Sequence, residues 1–201
     1  MSKLILVRHG ETTWNIEMRY QGQTDISLTA NGIEQAGKVA LRLADEKIAA
    51  VYSSDLSRAF VTAAQIAAVH GLDVLTRRDL REISFGDWEG MTYDSLDLDG
   101  GGTGNRLFSH PAEIEIPGGE TFFEVQQRMM EALRELAQRH EGQTVVIVSH
   151  GAAIRTVLCD VLGMDLNRLW AIRQSNTAVN ILEVLPQKVL VSLVNDVHHL
   201  R

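Results

Sequence analysis

Three short stretches of the chain are apolar with no polar alternation. Lys3 to Val7 reads KLILV, Ala50 to Tyr52 reads AVY, and Thr144 to Ser149 reads TVVIVS. A strand with one wet face alternates apolar and polar side chains, whereas a strand covered on both faces does not. These stretches therefore predict buried strands. Between them the pattern changes to helical spacing. Ile33, Ala36, Val39, Ala40 and Leu43 share one face behind Thr29, whose hydroxyl can cap a first turn, and predict a helix through Glu46. Leu56 to Val69 predicts a second helix, ended near Gly71. Glu120 to Glu141 predicts a third, with Val125, Met129, Leu133, Leu136 and Ala137 on one face and Gly142 where a closing glycine belongs. Gly151 to Leu162 predicts a fourth, closed by Gly163. Ala178 to Leu185 and Val189 to Val194 predict two late strands turned at Pro186–Gln187.

Strands that alternate with helices imply parallel crossovers. The expected fold is α/β: a three-layer sandwich whose mostly parallel central sheet carries helices on both faces, with a late antiparallel hairpin at a sheet edge. The 201 residues contain no linker between two cores and read as a single domain over 1–201. Residues 94–119 break the pattern, and Asp97 to Gly104 reads DLDGGGTG. This segment predicts a mobile surface loop, with a lid or specificity loop over a site as the sharper alternative. No Gly-Lys-Ser/Thr follows, so it is not a P-loop.

Composition narrows the function. Lys and Arg number 19 against 26 Asp and Glu, a formal charge of −7. Such a balance argues against a general nucleic-acid or anionic-membrane binder, yet leaves room for one small basic pocket. Cys159 is the sole cysteine, so no internal disulfide forms. No apolar run reaches membrane-spanning length, and the short run Leu4 to Val7, ended by Arg8, is no signal peptide. A cytoplasmic location is expected by default. HExxH, cysteine pairs and clustered carboxylate–histidine spacings are missing, so no metal site is expected.

Candidate chemistry gathers where strands end, which is where open α/β sheets collect ligands. Arg8, His9 and Gly10 follow the first strand directly. Arginine offers a planar fork for phosphate oxygens, and imidazole a nucleophile or proton relay. The plain alternative is an Arg8–Glu11 pair beside a surface histidine. His150 occupies the equivalent place after TVVIVS and before Gly151. Two histidines, each between a buried strand and a glycine, can face one crevice although far apart in sequence. Ser54, Asp55 and Arg58 follow a third strand in the same way, with Arg58 one turn into a helix. Taken alone, Arg58 would more commonly be a solvated helix residue.

These stretches resemble a known family. LILVRHGETTWN, YQGQTDISLTANGIEQA, VYSSDLSRAFVTA, LREISFGDWEG and VIVSHGAAIR, in that order from residue 4 to residue 155, are similar to the signatures of the histidine phosphatase, or phosphoglycerate mutase-like, superfamily. The resemblance implies that His9 is the nucleophile that becomes phosphohistidine. It implies that Arg8, Arg58 and His150 complete the phosphate pocket, that Asn15 and Gln21 contact phosphoryl group or substrate, and that Gly151 lies beside the pocket. Glu82 matches the general acid of the phosphatase branch, although by itself it would pair with Arg81 or Arg78. No cofactor is implied, and the family admits a homodimer. Two arginines and a cationic histidine can hold the charge of phosphoryl transfer without a metal.

Trp14, Phe85, Trp88 and Met91 read as core or rim packing, with one or two at the mouth of a pocket. His110 reads as a loop residue, and His70, His140, His198 and His199 as solvated. The expected activity is hydrolysis of a small-molecule phosphomonoester, with α-ribazole 5′-phosphate or a broad range of monoesters as substrates. A cofactor-dependent phosphoglycerate mutase and a non-catalytic phosphate-binding module are the alternatives. The stretch ISFGDWEGMTYDSL after Glu82 resembles the compact phosphatase and α-ribazole phosphatase branch. Mutases carry a longer, lysine-containing insertion there. Between Glu82 and His150 this chain has no lysine, and its only cations are Arg106, Arg128, Arg134 and Arg139.

Overall fold

The computed structural model describes residues 1–97 and 102–201. Along the chain run β1 (Ser2–Arg8), α1 (Thr13–Ile16), α2 (Ala30–Arg42), β2 (Ile48–Ser54), α3 (Ser57–His70), β3 (Val74–Arg77), α4 (Thr103–Ser109), α5 (Phe122–Arg139), β4 (Thr144–Ser149), α6 (Gly151–Leu162), β5 (Val179–Val184) and β6 (Val189–Asp196). The strands form one six-stranded sheet in the order β3-β2-β4-β1-β5-β6. β1 pairs β4, and β2 pairs both β3 and β4, all in parallel. β5 runs antiparallel to both β1 and β6, so the late hairpin extends the sheet to its edge.

The apolar runs are continuous because both faces of the sheet are covered. Leu4, Leu6, Val145 and Ile147 point into a core shared with α5 and α6. Their neighbours Ile5, Val7, Val146 and Val148 point the other way, into a core shared with α2 and α3. Burying a Leu, Ile or Val side chain contributes about 1.5–3 kcal/mol, and these eight are all within 1% of complete burial. Local signals agree with this packing. Thr29 accepts from the Gly32 amide at the start of α2, Thr121 forms a capping box with Glu124 on α5, and Gly71 and Gly163 close α3 and α6 in the left-handed conformation.

The structure departs from expectation at several places. α2 stops at Arg42, and Ile33, in its first turn, is 48% exposed. β3 has no apolar run to betray it; it is a short edge strand whose residues are half-buried or exposed. The described part of 94–119 is not one irregular loop. It contains α4 and a short 3-10 turn at Pro111–Glu113, and Leu107, Ile114 and Ile116 enter the core. Half of the glycine-rich DLDGGGTG segment, residues 98–101, lies outside the described residues. Among the described residues no helix is long and apolar enough to cross a membrane.

Candidate active site

Strand register brings the two histidines together. β1 and β4 are adjacent and parallel with Arg8 opposite Ser149, so the next residue of each strand emerges at the same edge. The His9 amide donates to Ser149 O at 3.0 Å, and the two imidazole centroids lie 5.2 Å apart. Arg58, in the first turn of α3 behind β2, is completely buried. Its two terminal nitrogens donate to Gly22 O at 2.7 Å and Thr24 O at 2.8 Å. Arg8 donates to Gln174 O at 2.6 Å instead of pairing with Glu11. A cleft of about 560 Å³ opens here, with Arg8, His9, Arg58, Asn15, Gln21, Gly151 and Glu82 among its walls. His150 is fully buried beside His9, one layer beneath the cleft surface.

Each group is held in a definite state. His9 Nδ1 lies 2.6 Å from Gly10 O. A carbonyl oxygen only accepts, so Nδ1 carries the proton and Nε2 keeps its lone pair. Burial, then Arg58 and Arg8, hold His9 well below its ordinary value of 6.5, and burial with Arg58 and His9 does the same to His150. Both imidazoles are therefore neutral in the cleft as it stands, whereas a cationic histidine is the form expected from the resemblance. Arg58 is pushed down to about 10 by burial and remains charged at neutral pH. Among the described residues, several buried polar atoms here have no hydrogen-bond partner: Arg8 Nε, Arg58 Nε and both ring nitrogens of His150. Unsatisfied polar groups are costly when buried; Arg8 and Arg58 both line the cleft, and His150 lies beside His9.

Glu82 caps the helix that carries His150. Its carboxylate accepts from the Ala152 amide at 3.1 Å and the Ala153 amide at 2.9 Å, at the positive end of α6. The arginines that might have paired with it point elsewhere: Arg81 grips Asp55 through two 2.6 Å bonds, and Arg78 lies 3.6 Å from the same carboxylate. Arg128 donates to Glu82 O at 2.9 Å and to Glu120, fixing the backbone from behind. Asn15 Oδ1 accepts from the Thr12 amide and from Asn176 Nδ2, both at 3.1 Å, and Gln21 Oε1 accepts from Thr12 Oγ1.

Glycines are required at two points. A Cβ on Gly10 would lie 2.4 Å from Gly32 O, where α2 approaches the first loop. Gly22 has φ +54, and a Cβ there would collide with the Glu89 carboxylate.

Several residues of the site escaped the sequence reading. Glu89 accepts from the Gln23 and Thr24 amides at 2.8 Å, from the Phe85 amide at 3.1 Å and from the Thr24 hydroxyl. It thereby fixes the loop whose carbonyls hold Arg58. Arg19, Tyr20, Tyr93, Phe108, Arg155 and Trp170 join Phe85 in the upper walls of the cleft. Of these only Arg155 had a readable signal, since it lies one helical turn beyond Gly151. Trp88 is core, and Met91 packs against it. His110 is exposed at the end of α4, and His140 bonds Tyr52 and Gln143. His199 is not merely solvated: its Nε2 lies 3.0 Å from Thr177 Oγ1. Among the described residues, no group of three or more His, Cys, Asp or Glu is arranged to hold a metal ion.

A mostly parallel sheet with two histidines and two arginines gathered at its carboxyl edge matches one family. The chain belongs to the histidine phosphatase superfamily (branch 1), whose family model matches residues 4–197. Phosphoserine phosphatase 1 of Hydrogenobacter thermophilus is 35% identical over 200 residues, covering 100% of this chain and 95% of that protein. Among solved structures, Bacillus stearothermophilus YhfR superposes with a TM-score of 0.95 at 36% identity, covering 100% of both chains. A variant of phosphoserine phosphatase from Entamoeba histolytica, solved with phosphoserine, superposes with a TM-score of 0.89 at 33% identity, again over 100% of both chains.

Proposed function

We propose that the protein is a metal-independent phosphatase that hydrolyses a small-molecule phosphomonoester through a phosphohistidine on His9. The observation that carries this reading is the group of unpartnered buried nitrogens on Arg8, Arg58 and His150 around an imidazole whose Nε2 lone pair is free. In the first step Nε2 attacks phosphorus and the ester P–O bond breaks. Glu82 gives a proton to the departing alkoxide. In the second step Glu82 takes a proton from water, the water oxygen bonds to phosphorus, and the N–P bond breaks to release phosphate and restore His9. Arg8 and Arg58 hold the equatorial oxygens. Burial and then the neighbouring cations hold His150 down; the charge of a phosphate dianion opposes both and favours the protonated form, which then donates to the phosphoryl group. Asn15 and Gln21 complete the oxygen contacts, and Gly151 lets the pocket wall come close.

The test is release of inorganic phosphate from a panel of phosphomonoesters with and without EDTA. Phosphate release that EDTA leaves unchanged is expected; no release from any ester would overturn the reading. Supplying 3-phosphoglycerate with 2,3-bisphosphoglycerate separates the mutase alternative, which would yield 2-phosphoglycerate in place of free phosphate.

A further inference from the structure

The oxygen and nitrogen of a side-chain amide have opposite hydrogen-bonding roles, so fixed neighbours decide which way an amide faces. The Thr12 backbone N–H can only donate, so the atom of Asn15 that it meets at 3.1 Å is Oδ1. That oxygen also lies 3.1 Å from the amide of Asn176, which must therefore present Nδ2 to it. The same Nδ2 donates to His9 O at 3.1 Å, a second group that only accepts. With N–H donors from Thr12 and Asn176, both lone pairs of Asn15 Oδ1 are filled. Nδ2 is then the half of the Asn15 amide left for the cleft that Asn15 lines. The effect passes one residue further. The Thr12 hydroxyl lies 3.1 Å from Asn15 Oδ1 and 2.9 Å from Gln21 Oε1, but it has one proton. Once Asn15 Oδ1 is filled that proton goes to Gln21, whose Nε2 is likewise left for the cleft. Among the described residues, those that wall the cleft include Asn15 and Gln21 but not Asn176.

Asn176 is itself held from several sides. It precedes Thr177, a fully buried β-branched residue at φ +54, a left-handed conformation that such residues rarely adopt. A backbone of this kind persists only where its surroundings over-determine it. Here the Thr177 hydroxyl donates to Asn176 O at 2.8 Å, and so accepts from His199 Nε2 at 3.0 Å. The Thr177 amide donates to His9 O at 3.3 Å. On the other side, the Ser175 amide donates to Asn195 Oδ1 at 2.8 Å. Gln174 and Asn180 exchange amide hydrogen bonds at 2.7 and 2.9 Å. The end of β6 and the tail thus brace a short segment against the loop that carries His9, 167 positions earlier in the chain.

Building on the phosphatase reading, we infer that Asn176 is a positioning residue: its Nδ2 fixes the Asn15 amide with the nitrogen offered to the phosphoryl oxygens and, through Thr12, does the same for Gln21.

The experiment is a double-mutant cycle on kcat/KM for p-nitrophenyl phosphate, with the wild-type protein, Asn176→Ala, Asn15→Ala and the pair. Asn176→Ala is expected to lower kcat/KM by about 10-fold, the lower end for a hydrogen bond to a charged group. In the Asn15→Ala background the same substitution is expected to cost less than about twofold, because the amide it fixes is gone. A change that merely loosens the fold costs the same factor in both backgrounds, and that result overturns the inference. So does an Asn176→Ala variant with wild-type kcat/KM. Should Asn176→Ala not fold, Asn176→Leu, which keeps the volume and removes the donor, takes its place in the cycle with the same expectations. Calorimetry of orthophosphate on the same proteins repeats the cycle without turnover. If the wild-type protein hydrolyses no ester, the phosphatase reading falls and the inference is judged on this binding cycle. Weakening by Asn176→Ala that vanishes in the Asn15→Ala background supports it. Equal weakening in both backgrounds, or no binding of orthophosphate to the wild-type protein, removes it.

Discussion

Arg58 and Phe108 line the same cleft but are held in different ways. Arg58 lies on the floor, completely buried, with its terminal nitrogens fixed by backbone carbonyls of a loop that Glu89 ties down. Phe108 lies on the rim, 43% exposed, on the short helix α4, held by ring contacts with Tyr93 and Trp170. The floor descends from adjacent parallel strands whose register allows one arrangement. The rim is assembled from separate segments around the start of α4, next to the residues outside the described structure. In the proposed mechanism the floor carries the chemistry common to every phosphomonoester, and the rim is where substrates that differ beyond the phosphate would be told apart.

The largest test of this contrast is removal of His9, the proposed nucleophile. His9→Ala is expected to lower turnover by about 10⁴-fold or more, equally for every leaving group, while circular dichroism stays native. Substantial activity on any one ester would place the chemistry elsewhere. Glu82, which lines the same cleft, is the proposed acid toward the leaving group. Glu82→Gln is expected to slow alkyl esters by about 10²–10⁴-fold and p-nitrophenyl phosphate much less, because nitrophenolate departs without a proton. Equal losses on both would remove the acid role.

The smallest effect concerns the cost of burying the floor. His9 and His150 have folded-state values well below 6.5, so below pH 6.5 the unfolded chain binds more protons than the native one. Stability contributed by these groups is therefore present above that pH and is lost as the pH falls beneath it. The slope is up to about 1.4 kcal/mol per pH unit for each imidazole. Urea melts between pH 7 and pH 5 measure this, and replacing His150 with Asn should flatten the dependence. An unchanged slope in that variant would mean that His150 does not titrate with folding.

Much of the floor was legible in the sequence. Each buried strand announced itself by an unbroken apolar run, and a strand end followed by His-Gly or by Ser-Asp-Leu-Ser-Arg marks where polar groups must leave the core. Arg8, His9, Arg58 and His150 could be named as candidates from these positions, and the family resemblance supplied their roles together with Glu82, Asn15 and Gln21. α1, β3 and α4 were not legible, since they are short and their apolar residues follow no period that a sequence window resolves.

The sequence alone thus determined the layered α/β architecture, the strand-end chemistry and the chain order of the site, because hydrophobic periodicity and capping are local properties. Only the tertiary structure decided that Arg81 belongs to Asp55 and leaves Glu82 free to meet the amides of α6, that Glu89 secures the loop that holds Arg58, and that Arg155 lies over Trp170. Those outcomes depend on which segments meet in space, and ionic and hydrogen-bond partners are chosen by distance after the sheet has formed.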